Sequence, residues 1–399
     1  MGSEEKWIDE VFSQKGLLAD VLEGYEERPE QKEMAMQIAH AYREESIALI
    51  EAGTGTGKSF AYLVPALIWA LKHKEKTVIS THTISLQEQL LNKDIPFLLR
   101  ATKKDVKVAL VKGMKNYLCL RKLREMQAEP LLVSAGESQE FRTIDNWAAK
   151  TEDGSKSDIP FPVAHAVWDK VGADAESCNH AQCPHYKKCF FFKAREKADD
   201  AQLLIVNHAL LFADIQLKKR EKEGILPSYG RLVLDEAHHI EQVALESSAQ
   251  RLDRLNLLHS LLKCHSDTHP DKSRLSLLRA DLSSLSRLTA QFMHYCDTEI
   301  PGQIRTSIQL LDKAFLEWRT FLEMLSGKKD LDGQKFRLKN QHCENSLWDE
   351  RIIPSCTALA EQMKKMGTSL ALFCKELETL KEIAGYSKLM NHMLELQSL

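Results

Sequence analysis

No run of apolar residues in this chain reaches the roughly 18 to 20 needed to span a membrane; the apolar stretch Phe60 to Leu71 is interrupted by Pro65. The opening residues Met1-Gly2-Ser3-Glu4-Glu5-Lys6 hold no apolar region of a signal peptide, and Lys6 stands where a myristoylation motif wants Ser or Thr. The expectation is a soluble cytoplasmic protein with no membrane partner. Excess charge of one sign is also missing. A formal net charge of −3 gives no overall attraction to nucleic acid, so binding of that kind must come from local basic surface. The nine cysteines are not expected to form a disulfide framework in a reducing compartment, so clustered ones are read as metal ligands. At 399 residues there is room for two or three domains with sizeable cores.

Against these absences stands Glu51-Ala52-Gly53-Thr54-Gly55-Thr56-Gly57-Lys58-Ser59, a P-loop. Ile47-Ala48-Leu49-Ile50 before it reads as a short buried strand, and Phe60 to Leu71 after it as a helix. Glycines let the backbone turn tightly and aim N–H groups at phosphate oxygens, Lys58 brings a point charge to the β/γ-phosphates, and Ser59 offers a hydroxyl to Mg²⁺. Upstream, a helix from about Glu30 to Glu44 begins beside Pro29. Gln31 near its start can present both a donor and an acceptor to an adenine edge.

Downstream, Lys76 to Ser80 reads as a second strand and Val106 to Val111 as a third, with a helix from about Ser85 to Leu99 between them. Alternation of this kind implies an α/β fold whose parallel sheet carries helices on both faces and ligands at the strands' carboxyl ends. Thr81, His82 and Thr83 lie at such an end. They suit either a phosphate backbone or a cap on the next helix.

After Val111 the alternation stops for a loop-rich, polar region with helical candidates at Gln139 to Lys150 and Val163 to Lys170. It contains Cys178, Cys183 and Cys189, which with the distant Cys119 make a four-thiolate set. Such a set holds Zn²⁺ or an iron–sulfur cluster; the spacing fits the usual paired zinc ligands poorly, while His180 and His185 keep a mixed zinc site open. Cys264, Cys296, Cys343, Cys356 and Cys374 lie singly in helical text and read as buried small hydrophobes. Basic residues flank the cluster region, and Tyr117, Tyr186 and Phe190 among them are candidate stacking surfaces.

The sheet resumes with Leu203 to Val206, ending in Asn207-His208, and with Arg231 to Leu234, ending in Asp235-Glu236-Ala237-His238. Two carboxylates at the tip of a buried strand cost several kcal/mol unless compensated. Beside a P-loop, Asp235 can hold Mg²⁺ and Glu236 can orient and deprotonate the attacking water. An exposed acidic turn is the bland alternative.

With these motifs in this order, residues 16–245 resemble the DinG-type helicases, the bacterial branch of the XPD-like iron–sulfur helicases of superfamily 2. The resemblance implies a RecA-like domain formed by residues 1–112 and 200–245, interrupted at 113–199 by a cluster-bearing insertion. It implies that Arg28 and Gln31 read adenine, that Ala52, Gly53, Thr54, Gly55, Thr56, Gly57, Lys58 and Ser59 bind the phosphates, and that Lys58, Asp235 and Glu236 are catalytic. It places Thr81, His82, Thr83, Lys112, Asn116, Tyr117, Asn207 and His208 on the DNA path and a [4Fe–4S] cluster on Cys119, Cys178, Cys183 and Cys189. Family members use ATP and Mg²⁺ to move 5′ to 3′ along single-stranded DNA and to open forks, which makes single-stranded and forked DNA the implied partners.

Residues 246–399 read as almost all helix, with breakers at His269-Pro270, Ile300-Pro301 and Gly327 to Gly333, and resemble the helical arch that the family inserts after its D-E-A-H box. The family's S-A-T motif and the arginine-bearing Q-x-x-G-R motif of its second RecA-like domain do not appear. An incomplete motor is therefore expected of these residues alone. A non-motor DNA-binding module that carries the cluster is the alternative; a P-loop kinase or GTPase is disfavoured by the cysteines and the Asp-Glu-Ala-His box.

Overall fold

The structure is a computed structural model that describes residues 3–53, 55–128, 135–175, 178, 180–219, 224–249, 252–268, 270, 273–284, 289–331 and 333–380. Thr54 and the end of the helical text, 381–399, therefore lie outside the described residues. Contacts divide the chain into two compact units: Met1–Ala128, Ala135–Ala173 and His180–Ala249 make the first, and Glu129–Ser134, Asp174–Asn179 and Gln250–Leu399 the second. Residues 113–199 are not set off as a unit of their own. No helix among the described residues is long and apolar enough to cross a membrane.

The first unit is built on four parallel strands, β1 (Thr77–Thr81), β2 (Val108–Leu110), β3 (Leu203–Asn207) and β4 (Arg231–Leu234), in the order β2-β3-β1-β4. Period-2 alternation sends Ile79, Leu203 and Ile205 to one face and Val78, Leu204 and Val206 to the other. The first face packs on α1 (Ser3–Phe12), α2 (Pro29–Arg43), α3 (Lys58–His73) and α5 (Ile95–Thr102). The second packs on α9 (Phe190–Asp200) and α10 (His208–Lys219). Both faces are covered, as the near-continuous apolar strands require. Every residue of α3 from Ala61 to Ala70 is buried, so this helix is apolar all round rather than on one stripe.

Ile47-Ala48-Leu49-Ile50 does not form the expected buried strand. The segment runs without strand pairing, Ile47 98% and Leu49 93% exposed. β4 takes the edge position, its residues alternating between half-buried and exposed, and Arg231 anchors its start by lying 4.4 Å over the Trp69 ring. A segment with no ladder partner and only Ile50 against the core has too few hydrogen bonds and too little burial to offset an ordering cost of about 1–2 kcal/mol per residue.

The helix expected over Ser85–Leu99 is present and runs without a gap as α4 (Ile84–Gln89), a π-helical turn at Leu90–Asp94, and α5. Pro96 explains the change: it has no N–H for the fourth carbonyl back, and the ring crowds that carbonyl, so the helix widens before it. The same device recurs in the second unit. π-helical turns at Tyr295–Glu299 and Trp348–Ile352 each precede an Ile-Pro pair, Ile300-Pro301 and Ile353-Pro354. Ile300-Pro301 is thus the start of a long helix rather than a break.

Between β2 and β3, ahead of α9, lie α6 (Leu120–Ala128), α7 (Ala135–Ala148) and α8 (His165–Val171); the last two match the expected helical candidates. The strand-like segments of this region are tied by Leu118 donating to the Gly154 carbonyl (2.9 Å) and Cys119 to that of Val171 (2.8 Å). After β4, α11 (Ile240–Ser248) closes the unit. Among its described residues the regular structure of the second unit is all helical: α12 (Arg254–Cys264), α13 (Arg274–Ser284), α14 (Ala290–His294), α15 (Ile300–Ser326), α16 (Asn340–Cys343) and α17 (Ile353–Leu377). Contacts of Gln303 with Ser369, Ser307 with Met366 and Trp318 with Cys356 fall in opposite chain order, so α15 and α17 run antiparallel. Cys264, Cys296 and Cys374 are buried there, and burial pushes each thiol up to about 12. Cys343 and Cys356 are only half-buried, which corrects the reading of all five as buried hydrophobes.

Candidate nucleotide site and nucleic-acid rim

The P-loop ends where Gly57 takes a left-handed conformation (φ 79°) as the N-cap of α3, which makes Lys58 the first helical residue. The unpaired N–H groups of that helix start face the loop and favour an anion there. Gln31, buried at 5% exposure, donates from Nε2 to the Gly57 carbonyl (2.8 Å), and Arg28 donates to the Gly55 carbonyl. Both side chains thus brace the loop that precedes the helix, and Thr56 closes it by donating to the Gly53 carbonyl (2.9 Å). A Cβ at Gly57 would stand 2.0 Å from Gln31 Nε2. Gly57→Ala therefore meets both a forbidden φ and a filled space; the expected result is a loss of about 1–3 kcal/mol, read as a Tm several degrees lower, and weaker nucleotide binding. An unchanged melt would mean that the Gln31 brace is dispensable.

Across the sheet edge, Lys58 Nζ lies 3.4 Å from Glu236 Oε1 although 178 residues separate them. Tyr62, one turn along α3, donates its hydroxyl to Asp235 Oδ2 (3.1 Å), and the Glu236 N–H donates to Asp235 Oδ1 (3.0 Å). Burial raises the Asp235 carboxyl above the ordinary carboxylate range, partly offset by the Tyr62 bond. The Tyr62 phenol is itself raised, by burial first and then by Asp235. Sequence reading missed Tyr62. Its signal was a hydroxyl in an otherwise aliphatic buried helix, where such a group needs a partner. Glu236 adopts a left-handed backbone (φ 54°), a conformation uncommon for a non-glycine residue and associated with functional sites.

All eight residues expected on the DNA path lie at or just beyond the carboxyl ends of β1, β2 and β3. Their side chains differ in availability. His82 and Thr83 are exposed, although the Thr83 hydroxyl also caps α4 by accepting from the Leu86 N–H (3.3 Å). Thr81 and His208 are buried, and Ser80 Oγ lies 2.7 Å from His208 Nδ1. Asn207 caps α10 by accepting from the Leu210 N–H (2.8 Å), and Asn116 donates to the Gly113 carbonyl (3.1 Å). Lys112 Nζ is drawn to Ser155 and Ser157, each at 2.7 Å. Tyr117 and Phe190 are buried at 1% and 6% exposure, which removes them as stacking surfaces; Tyr186, 37% exposed and 4.6 Å from the Phe192 ring, keeps that capacity.

Cys119 stands immediately before α6, and Cys189 is the N-cap of α9. Arg121 is buried; desolvation opposes its charge, but Glu125, with Cys119 and Cys183 beside it, outweighs that and holds its pKa above the usual value. Cys119 and Cys183 thus share one electrostatic neighbourhood. No disulfide joins any of the nine cysteines. A set of four thiols with a buried cation suits an anionic iron–sulfur cluster in donor chemistry. Among the described residues, however, no three His, Cys, Asp or Glu side chains are gathered as a ready-made metal site.

A P-loop lysine at a helix start, facing an Asp-Glu pair at the tip of a neighbouring parallel strand, defines a P-loop nucleotide-binding domain. Residues 28–143 match the model of the DEAD/DEAH box helicase family. The chain is 37% identical over 249 residues to an ATP-dependent DNA helicase YoaA of Haemophilus influenzae, covering 62% of this chain and 38% of that protein. It is 36% identical over 246 residues to an ATP-dependent helicase DinG of Mycobacterium tuberculosis, covering 57% and 36%. It is 27% identical over 394 residues to a 3'-5' exonuclease DinG of Bacillus subtilis, covering 94% of this chain and 39% of that protein. Residues 28–143 are thus similar to a DEAD/DEAH box helicase domain, and the longer aligned stretch is similar to helicases named DinG and YoaA. It spans less than two-fifths of the length of these relatives.

Proposed function

We propose that this chain carries the P-loop side of the motor of an ATP-dependent DNA helicase of the DinG type, cytoplasmic, moving 5′ to 3′ on single-stranded DNA and acting on forked DNA in repair or replication. The observation that carries this reading is the approach of Lys58 to Glu236 at 3.4 Å beside Asp235. Lys58 and the N–H groups at the start of α3 hold the β/γ-phosphates. Asp235, oriented by Tyr62, holds Mg²⁺, which neutralises phosphate charge when bound. Glu236 orients and deprotonates the attacking water, placed against the γ-phosphate by its closeness to Lys58. Arg28 and Gln31 brace the loop and read the adenine.

Cys119, Cys178, Cys183 and Cys189 are proposed to hold a [4Fe–4S] cluster, a reading supported by the four-thiol set and the Arg121 neighbourhood. Single-stranded DNA is proposed to cross the exposed rim at His82 and Thr83. Taken alone, these 399 residues supply no arginine from a second lobe, a contribution of about 10³–10⁵ in rate; loose ATP binding, slow turnover and no unwinding are expected of them.

The test is binding of oligothymidylate to the 399-residue chain over a salt series. Affinity is expected to fall with rising salt, the log–log slope being about −0.7 per phosphate contacted. A slope near zero, or no binding at low salt, would remove the DNA reading. A forked duplex with ATP and Mg²⁺ should stay annealed. ATP-dependent strand separation that disappears in Lys58→Ala would overturn the incomplete-motor reading.

A further inference from the structure

The carboxyl-end rim carries four imidazoles that link the nucleotide site to the proposed DNA path. His238 Nδ1 lies 3.4 Å from Glu236 Oε2, on the carboxylate whose other oxygen faces Lys58. The His238 ring is 4.0 Å from that of His239, and His239 stacks on His82 at 3.8 Å with the planes 16° apart. His82 in turn lies 6.2 Å from the buried His208, which meets Ser80. His239 has a second role in the backbone. Its N–H donates to the Glu236 carbonyl (3.1 Å) and so closes the turn that holds Glu236 at φ 54°. A left-handed backbone is disfavoured for a non-glycine residue, so the placement of Glu236 depends on what holds that turn.

We propose that His239 is a positioning residue that couples nucleic acid bound at His82 and Thr83 to the placement of Glu236. The inference rests on the reading of that rim as a DNA contact and of Glu236 as the base. A polynucleotide arriving at the exposed His82 must meet the imidazole stack. His239 yields only by moving the backbone that bonds Glu236. In the other direction, a phosphate entering beside Lys58 and Glu236 shifts His238, and with it the ring that His82 rests on. The two ligands must then change each other's affinity by the same factor.

The test uses the 399-residue chain, a non-hydrolysable ATP analogue with Mg²⁺, and oligothymidylate. Each affinity is measured alone and with the other ligand saturating. The parent is expected to show coupling of about fivefold or more. His239→Ala should leave each single affinity and the thermal melt near the parent values while the coupling factor falls to one. His239→Phe, which keeps a ring stacked on His82, should retain it. Coupling undiminished in His239→Ala overturns the inference, as does a parent that binds both ligands without coupling. A parent that fails to bind one of the ligands defeats the underlying helicase reading, and the inference falls with it.

Discussion

Glu236→Gln is expected to bind MgATP at close to the parent affinity while hydrolysis falls about 10²–10⁴-fold, the range for losing a positioned general base. The amide keeps the size and the polar contact with Lys58, now 3.4 Å, but cannot take a proton from water. Asp235 keeps its bonds from Tyr62 and from the residue 236 N–H, so the cation site should survive. Lys58→Ala should behave differently and lose nucleotide binding itself, because its ammonium is the charge at the start of α3. Nucleotide titration followed by single-turnover hydrolysis separates the two variants, in these 399 residues or in a longer form that supplies a second lobe. Parent-rate turnover by Glu236→Gln would show that the base is elsewhere.

Purified away from oxygen, the protein should be brown and contain about four irons per chain, and Cys183→Ser should lose the colour and most of the iron. Cys183 shares the neighbourhood of the buried Arg121 with Cys119. Its loss would leave the proposed cluster with three ligands. Absorbance and metal analysis read the outcome without reference to catalysis, and oligothymidylate affinity is expected to fall in the same variant. A colourless parent with about one zinc per chain would reverse the assignment in favour of the mixed Cys/His alternative.

The motifs were legible because each has a short-range physical signature. A left-handed turn at φ 79° against Gln31 favours glycine at position 57, and the apolar strands β1 and β3, bounded by polar ends, announce a sheet covered on both faces. Pro301 was visible too, but was read as a break. A proline inside helical text can widen the helix rather than end it, and the choice depends on whether both flanks are buried by the core. Ile47 to Ile50 failed for a related reason: β-propensity says that a segment fits a ladder, not that a neighbour is present to complete it.

The sequence by itself supplied the functional groups on which the proposed roles of the P-loop, of the Asp235-Glu236 pair and of the four cysteines rest. Only the tertiary structure decided which side chains can use that chemistry. It buried Tyr117 and Phe190, spent Asn207 on a helix cap, drew Lys112 to Ser155 and Ser157, and stacked His82 on His239 across 157 residues. Such partners are set by strand order and register, which bring residues far apart in the chain to the same rim, and no local pattern records that distance.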